Sequence, residues 1–171
     1  MHGSDRHGLD RLNSALPGVA EAALLACCGS RRWARHLADH RPYPDLRTLL
    51  ATAERAARTL TPADLTEALA DETGPRQLLV THPALRRAEA AYESRFGHIF
   101  IIYPAPTAPP DDRLPDDTVG RLLAALRVRL GHSPREETAV TAAELTRLAA
   151  GRLTRLAPDV PSPRRHDARQ A

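Results

Sequence analysis

The stretch LGHSPREETAVTAAELTRLAAGRLTRL, residues 130–156, decides the fold class of this chain. Ser133 is followed by Pro134 and, three residues after the serine, by Glu136, which is the pattern of a capping box with proline at the first helical position. Alanine, leucine and other good helix formers dominate the residues behind this start. The sequence predicts one long helix from Pro134 to about Leu156 and leaves open a break near Thr141.

Helical signals recur through the rest of the chain, whereas residues 96–103, FGHIFIIY, are β-branched and aromatic. We therefore predict an all-α single domain of about seven or eight helices with one short, extended, buried segment. The expected helices cover 9–16, 19–28 as a buried helix, Ser30 to the break at Arg41, Asp45 onward, Thr61 to about Glu72, Pro83 to Arg95, and Asp117 to Leu130.

Composition narrows the function classes. The chain has 171 residues, of which 42% are hydrophobic, and this is enough for one domain with a hydrophobic core. We expect this domain to cover 9–157 and to follow a flexible N-terminal segment, 1–8. After it we expect a disordered tail, 158–171, that is rich in arginine and proline. Lysine is absent, which excludes Schiff-base catalysis. The net charge is only +3 and arginines alternate with acids, so nucleic-acid binding is not predicted. No transmembrane span or signal peptide is expected, and the adjacent Cys27 and Cys28 are expected as buried thiols of a cytoplasmic protein.

None of the general catalytic motifs considered occurs in this sequence. It contains no Gly-rich phosphate loop, no GxSxG, no HExxH and no CxxC. His36 and His40 have the i, i+4 spacing of metal ligands, but no third ligand stands at a fixed distance from them. Residue patterns alone predict no metal site and no cofactor.

A resemblance to a known family adds a specific expectation. The segments CCGSRRWARHLADHRPYPDL (27–46), LTPADLTEALA (60–70), AYESRFGHIFIIY (91–103) and 130–156 are similar to those of OHCU decarboxylases. That family converts 2-oxo-4-hydroxy-4-carboxy-5-ureidoimidazoline (OHCU) to (S)-allantoin in the degradation of urate. The resemblance implies an all-α fold, a possible homodimer, an anionic ureidoimidazoline as the small-molecule substrate, and no cofactor.

The resemblance also implies which residues form the site. Loss of CO2 leaves negative charge on a ring carbon, so the enzyme must hold an anion and deliver a proton. The family's substrate-binding arginine on the last helix falls on Arg152. Its pocket-lining backbone falls on the run Phe100, Ile101, Ile102, Tyr103 and Pro104.

The family's acid is a histidine in a His-Pro motif, and this sequence departs from that pattern. After Ala70 it reads DETGPR (71–76), and the family's next motif, Ser-x-x-Glu-Gln, has no counterpart. The candidate proton donors are therefore His82, which precedes Pro83, together with Asp71 and Glu72. Three interpretations stay open: an active decarboxylase with a rebuilt acid, a degenerate paralogue that keeps the fold as an anion-binding or interaction protein, and a different reaction on the same fold.

Overall fold

The computed structural model describes residues 8–70, 72, 82–103 and 116–157. These ranges contain eight helices and no β-strand, so the all-α prediction is confirmed. The predicted flexible residues before Gly8 and the predicted tail 158–171 lie outside the described residues. The helices are α1 (Gly8–Ser14), α2 (Pro17–Leu25), α3 (Arg31–Asp39), α4 (Leu46–Ala57), α5 (Pro62–Ala70), α6 (Pro83–Phe96), α7 (Asp116–Leu130) and α8 (Pro134–Leu156).

The predicted N-caps set where the helices begin. The Trp33 amide donates to Ser30 Oγ at 3.3 Å, and the Thr48 amide donates to Asp45 Oδ1 at 2.7 Å. These bonds satisfy amides that have no partner within the helix. Both arms of the predicted capping box at Ser133 are present, and α8 then runs unbroken to Leu156. Thr141 therefore does not mark a break.

The prediction of a buried helix over 19–28 is wrong in two respects. Helix α2 ends at Leu25, and Cys27 and Cys28 lie buried in the turn that follows it. Only Ala20 and Leu24 of α2 are buried, because only one side of this helix packs against the rest of the protein. The apolar residues on its other sides remain exposed or half-buried. The thiols are free, and burial raises the pKa of Cys28 to about 11.

Two buried clusters form the core, and the extended segment joins them. The larger cluster brings α2 to α5 together with α8, around the buried ring of Trp33, whose Nε1 donates to the Ala53 carbonyl at 3.0 Å. The smaller cluster lies between α6 and α7. Phe100 belongs to the smaller cluster and Ile101 to the larger, as expected when consecutive side chains of an extended backbone point in opposite directions. Of the predicted segment 96–103, Phe100 and Ile101 are buried as expected, but Phe96 is the last residue of α6 and Tyr103 is 42% exposed.

Candidate functional site

Arg152 lies near the end of α8 and forms a three-bond contact with two other parts of the chain. Its Nη1 and Nη2 donate to Glu72 Oε1 and Oε2 at 2.5 and 2.8 Å, and Nη1 also donates to the Cys27 carbonyl at 3.1 Å. The Glu72 side chain is 9% exposed and the Arg152 side chain 31% exposed. The hydrogen bonds to Glu72 raise the pKa of Arg152. This is the bidentate geometry in which a guanidinium recognises a carboxylate.

The structure thus joins two residues for which the sequence predicted separate roles. Glu72, a candidate proton donor, is a hydrogen-bond acceptor here, and it neutralises the charge of Arg152. A carboxylate of a ligand would bind the same edge of the guanidinium, so it would have to replace the Glu72 carboxylate. Asp71, the neighbouring candidate, lies outside the described residues.

The predicted pocket-lining run contacts α8 at Glu144 and Gly151. The side chains of Phe100 and Ile101 are buried in the core, so only their backbone could contact a ligand. The Tyr103 amide donates to Glu144 Oε2 at 2.6 Å. The Tyr103 ring rests on Gly151, where an added Cβ would lie 3.4 Å from a ring carbon. The segment therefore reaches α8 one residue before Arg152. Pro104 lies outside the described residues.

The third candidate acid, His82, is the N-cap residue of α6. Its side chain makes no capping hydrogen bond, and its buried Nδ1 has no hydrogen-bond partner among the residues that the structure describes. Within the described part of the chain no hydrogen bond or ion pair joins His82 to Arg152, so the structure does not bring these two candidates together.

A buried polar network, which the sequence analysis did not find, lies behind the same segment. Arg129 on α7 donates from Nε to Glu137 Oε1 on α8 at 2.7 Å, and Glu137 is fully buried. The hydroxyl of Tyr92 also donates to Glu137, and Nδ1 of His132 lies 2.8 Å from Glu137 Oε2. A signal was present in the sequence: Arg129 continues the buried stripe of Leu122 and Leu126 along α7.

A cavity of about 880 Å³ opens on another face of α8. Alanines of α4 and α8 form much of its wall, and Trp33 is among its lining residues, whereas Arg152 is not. Ala139, Ala143 and Ala150 line this cavity, and helical spacing places them on the side of α8 opposite to Arg152. The cavity is therefore separate from the Arg152–Glu72 pair. Most of its lining is apolar, but the arginines Arg47, Arg58 and Arg147 are also among the lining residues.

Residues 8–70, 72, 82–103 and 116–157 contain no group of three or more His, Cys, Asp or Glu side chains arranged to hold a metal ion. None of the helices found there is both long and apolar enough to cross a membrane.

Comparison with known proteins gives consistent results. A family model described as OHCU decarboxylase matches residues 13–73 and 77–154. Nine chains of solved structures match significantly. One is an OHCU decarboxylase crystallised in the presence of (S)-allantoin, with a TM-score of 0.64 and 21% identity over 79% of this chain and 96% of that chain. Another is an (S)-allantoin synthase, with a TM-score of 0.66 and 20% identity over 87% of this chain and 54% of that chain. The comparison with curated proteins found no significant match.

Proposed function

Because this chain belongs to the OHCU decarboxylase family, we propose that it decarboxylates OHCU to (S)-allantoin without a cofactor, as a step of urate catabolism. The observation that carries the proposal is the position of Arg152. Its guanidinium already binds a carboxylate in bidentate geometry, and the extended segment contacts Gly151, the residue that precedes Arg152 in the chain. The anionic substrate would offer the same chemical group.

The Arg152–Glu72 pair suggests how binding and proton delivery would be linked. The substrate anion would replace the Glu72 carboxylate on the guanidinium of Arg152. Glu72 would then lie beside the bound substrate with its hydrogen-bond acceptors free, and after taking a proton from solvent it could deliver that proton to the carbanion that loss of CO2 creates. Water would restore the proton to Glu72 after each turnover. In this scheme Arg152 anchors the substrate and Glu72 is the acid, with Asp71 and His82 as the alternative acids.

The test follows freshly generated OHCU by circular dichroism. With the wild-type protein we expect rapid accumulation of dextrorotatory allantoin, well above the uncatalysed, racemic background. Arg152→Ala should lower kcat/KM by on the order of a hundredfold, because it removes a charge-assisted bidentate contact. Arg155→Ala is the matched control, since it removes an exposed arginine from the next turn of α8. Decay at the background rate with wild-type protein, or unchanged kcat/KM for Arg152→Ala, would contradict the proposal.

A second candidate function is anion binding without turnover. It is favoured by the absence, after Ala70, of the His-Pro motif that carries the family's acid. Calorimetric binding of allantoate, the ring-opened carboxylate of allantoin, by a wild-type protein that does not accelerate OHCU decay would favour this alternative.

The homodimer implied by the resemblance stays a proposal. Leu16 and Val19 at the start of α2 are exposed apolar residues that a second copy could cover. Sedimentation of the wild-type protein and of Val19→Asp would test it, with a monomeric wild type as the contradicting result.

A further inference from the structure

The extended segment after α6 is held at two points, one on each side of Ile102. On one side, Nη1 of Arg129 donates to the Ile101 carbonyl at 2.5 Å. On the other, the Tyr103 amide donates to Glu144 Oε2 at 2.6 Å. We propose that Arg129 and Glu144 are positioning residues that fix the Ile102 backbone for ligand binding. This inference rests on the proposed function, because it assigns these two residues to the same site.

Arg129 is itself held firmly, so its contact with the segment is well defined. Besides its bond to Glu137, its Nη2 donates to the Tyr92 hydroxyl at 3.0 Å and to Thr141 Oγ1 at 2.9 Å. Its guanidinium carbon lies 4.7 Å from the centroid of the Phe100 ring. These contacts come from two other helices, α6 and α8, and from the segment itself. A buried ion pair of this kind contributes little net stability compared with a well-packed apolar pair, which is consistent with a positioning role.

The backbone between the two contacts is the part that needs a fixed position. Within the described part of the chain, neither the N–H nor the C=O of Ile102 makes a hydrogen bond, although both neighbouring residues do. Backbone groups in a half-buried place normally have partners. A ligand bound beside Gly151 and Arg152 would supply partners for Ile102, provided that the segment is held still.

Glu144 allows a clean test because its ion-pair partner, Arg147, is 61% exposed, so truncation of Glu144 does not leave a buried charge. Glu144→Ala removes the acceptor of the Tyr103 amide, whereas Glu144→Gln keeps an acceptor oxygen. Arg147→Ala is the matched control: Arg147 pairs with Glu144 at 3.0 Å and is largely exposed, so its loss leaves the Tyr103 contact in place. Melting temperatures of all three variants would show that the fold is retained.

The first readout is the rate of hydrogen exchange of the Tyr103 amide, measured by NMR. This rate does not depend on catalysis. We expect exchange at least about tenfold faster in Glu144→Ala and near wild-type exchange in Glu144→Gln and Arg147→Ala. Unchanged exchange in Glu144→Ala would overturn the inference.

The second readout is kcat/KM for OHCU. We expect a fall on the order of tenfold in Glu144→Ala, mostly through KM, and values within about twofold of wild type in the other two variants. Faster exchange with unchanged kcat/KM would show that the contact does not serve the site. A wild-type protein without turnover contradicts the proposed function alone, and the affinity for (S)-allantoin then replaces kcat/KM. A wild-type protein that also fails to bind (S)-allantoin would overturn both proposals.

Discussion

Two arginine–glutamate pairs in this protein have the same contact distance and opposite environments, which allows a matched test of burial. Arg129 Nη2 and Glu137 Oε1 are 2.5 Å apart with side chains 6% and 0% exposed. Arg58 Nη2 and Glu54 Oε1 are also 2.5 Å apart, but their side chains are 71% and 57% exposed. The perturbation is removal of the carboxylate by Glu137→Ala in one variant and by Glu54→Ala in the other.

The expected magnitudes follow from what each truncation leaves behind. Glu137→Ala leaves a buried, uncompensated guanidinium and removes an acceptor from Tyr92, so we expect a loss of about 3–5 kcal/mol in the free energy of unfolding. Glu54→Ala breaks an exposed i, i+4 pair, which is worth about 0.3–0.5 kcal/mol. In a domain of this size, each kcal/mol of lost stability lowers Tm by about 2–4 °C. The loss expected for Glu137→Ala therefore corresponds to a fall of about 6–20 °C in Tm.

The assay is urea unfolding at pH 7, followed by circular dichroism, with thermal melts in parallel. Equal m-values for the two variants would show that the comparison concerns the native state. If Glu137→Ala loses less than about 1 kcal/mol more than Glu54→Ala, the reasoning is refuted, because Arg129 would then have access to water or to another anion.

Three further predictions concern other residues. Burial raises the pKa of Glu137, but hydrogen bonds from Arg129 and other neighbours outweigh it and hold that pKa below its ordinary value. The stability contributed by Glu137 is therefore complete above the ordinary glutamate pKa and is lost as the pH falls through the lower pKa of the folded state. The free energy of unfolding of Glu137→Gln, measured in urea, should depend less on pH in this range than that of the wild type. Gly97→Ala should destabilise the protein by about 1–2 kcal/mol because Gly97 has a φ of 74°, whereas Gly120→Ala within α7 should stabilise it by about 0.5–1 kcal/mol. Neither added Cβ would meet an atom within 4 Å, so the difference comes from the backbone conformation. Melting temperatures that shift in the same direction in the two variants would contradict this. With its pKa raised to about 11, native Cys28 should react with iodoacetamide at pH 8 far more slowly than in urea; equal rates would show an exposed thiol.

Local features of this fold were predictable because they depend on residues close together in the chain. The cap residues Ser30, Asp45 and Ser133 lie next to the amides that they bond, so the sequence places these helix starts correctly. The end of α2 was misplaced because the apolar run continues through Cys28 without a local stop signal, and the turn there depends on packing.

The resemblance, carried by short motifs, implied that Arg152 and the backbone of 100–103 belong to one site, and this assignment stays a prediction. It could not show that Glu72, eighty residues before Arg152 in the chain, occupies the guanidinium. Nor could it show that Arg129 and Glu144 hold the segment from two helices.

The sequence by itself thus determined the helical class, the main helix starts and the burial of Phe100 and Ile101, since these follow from local hydrogen bonds and from hydrophobic spacing. The tertiary structure alone decided which polar groups meet. The spacing of Arg129 after Leu122 and Leu126 indicates a buried position, but only the packing of α7 against α8 pairs Arg129 with Glu137. Such pairings depend on how helices cross, and helix crossing is fixed by the packing of the whole core.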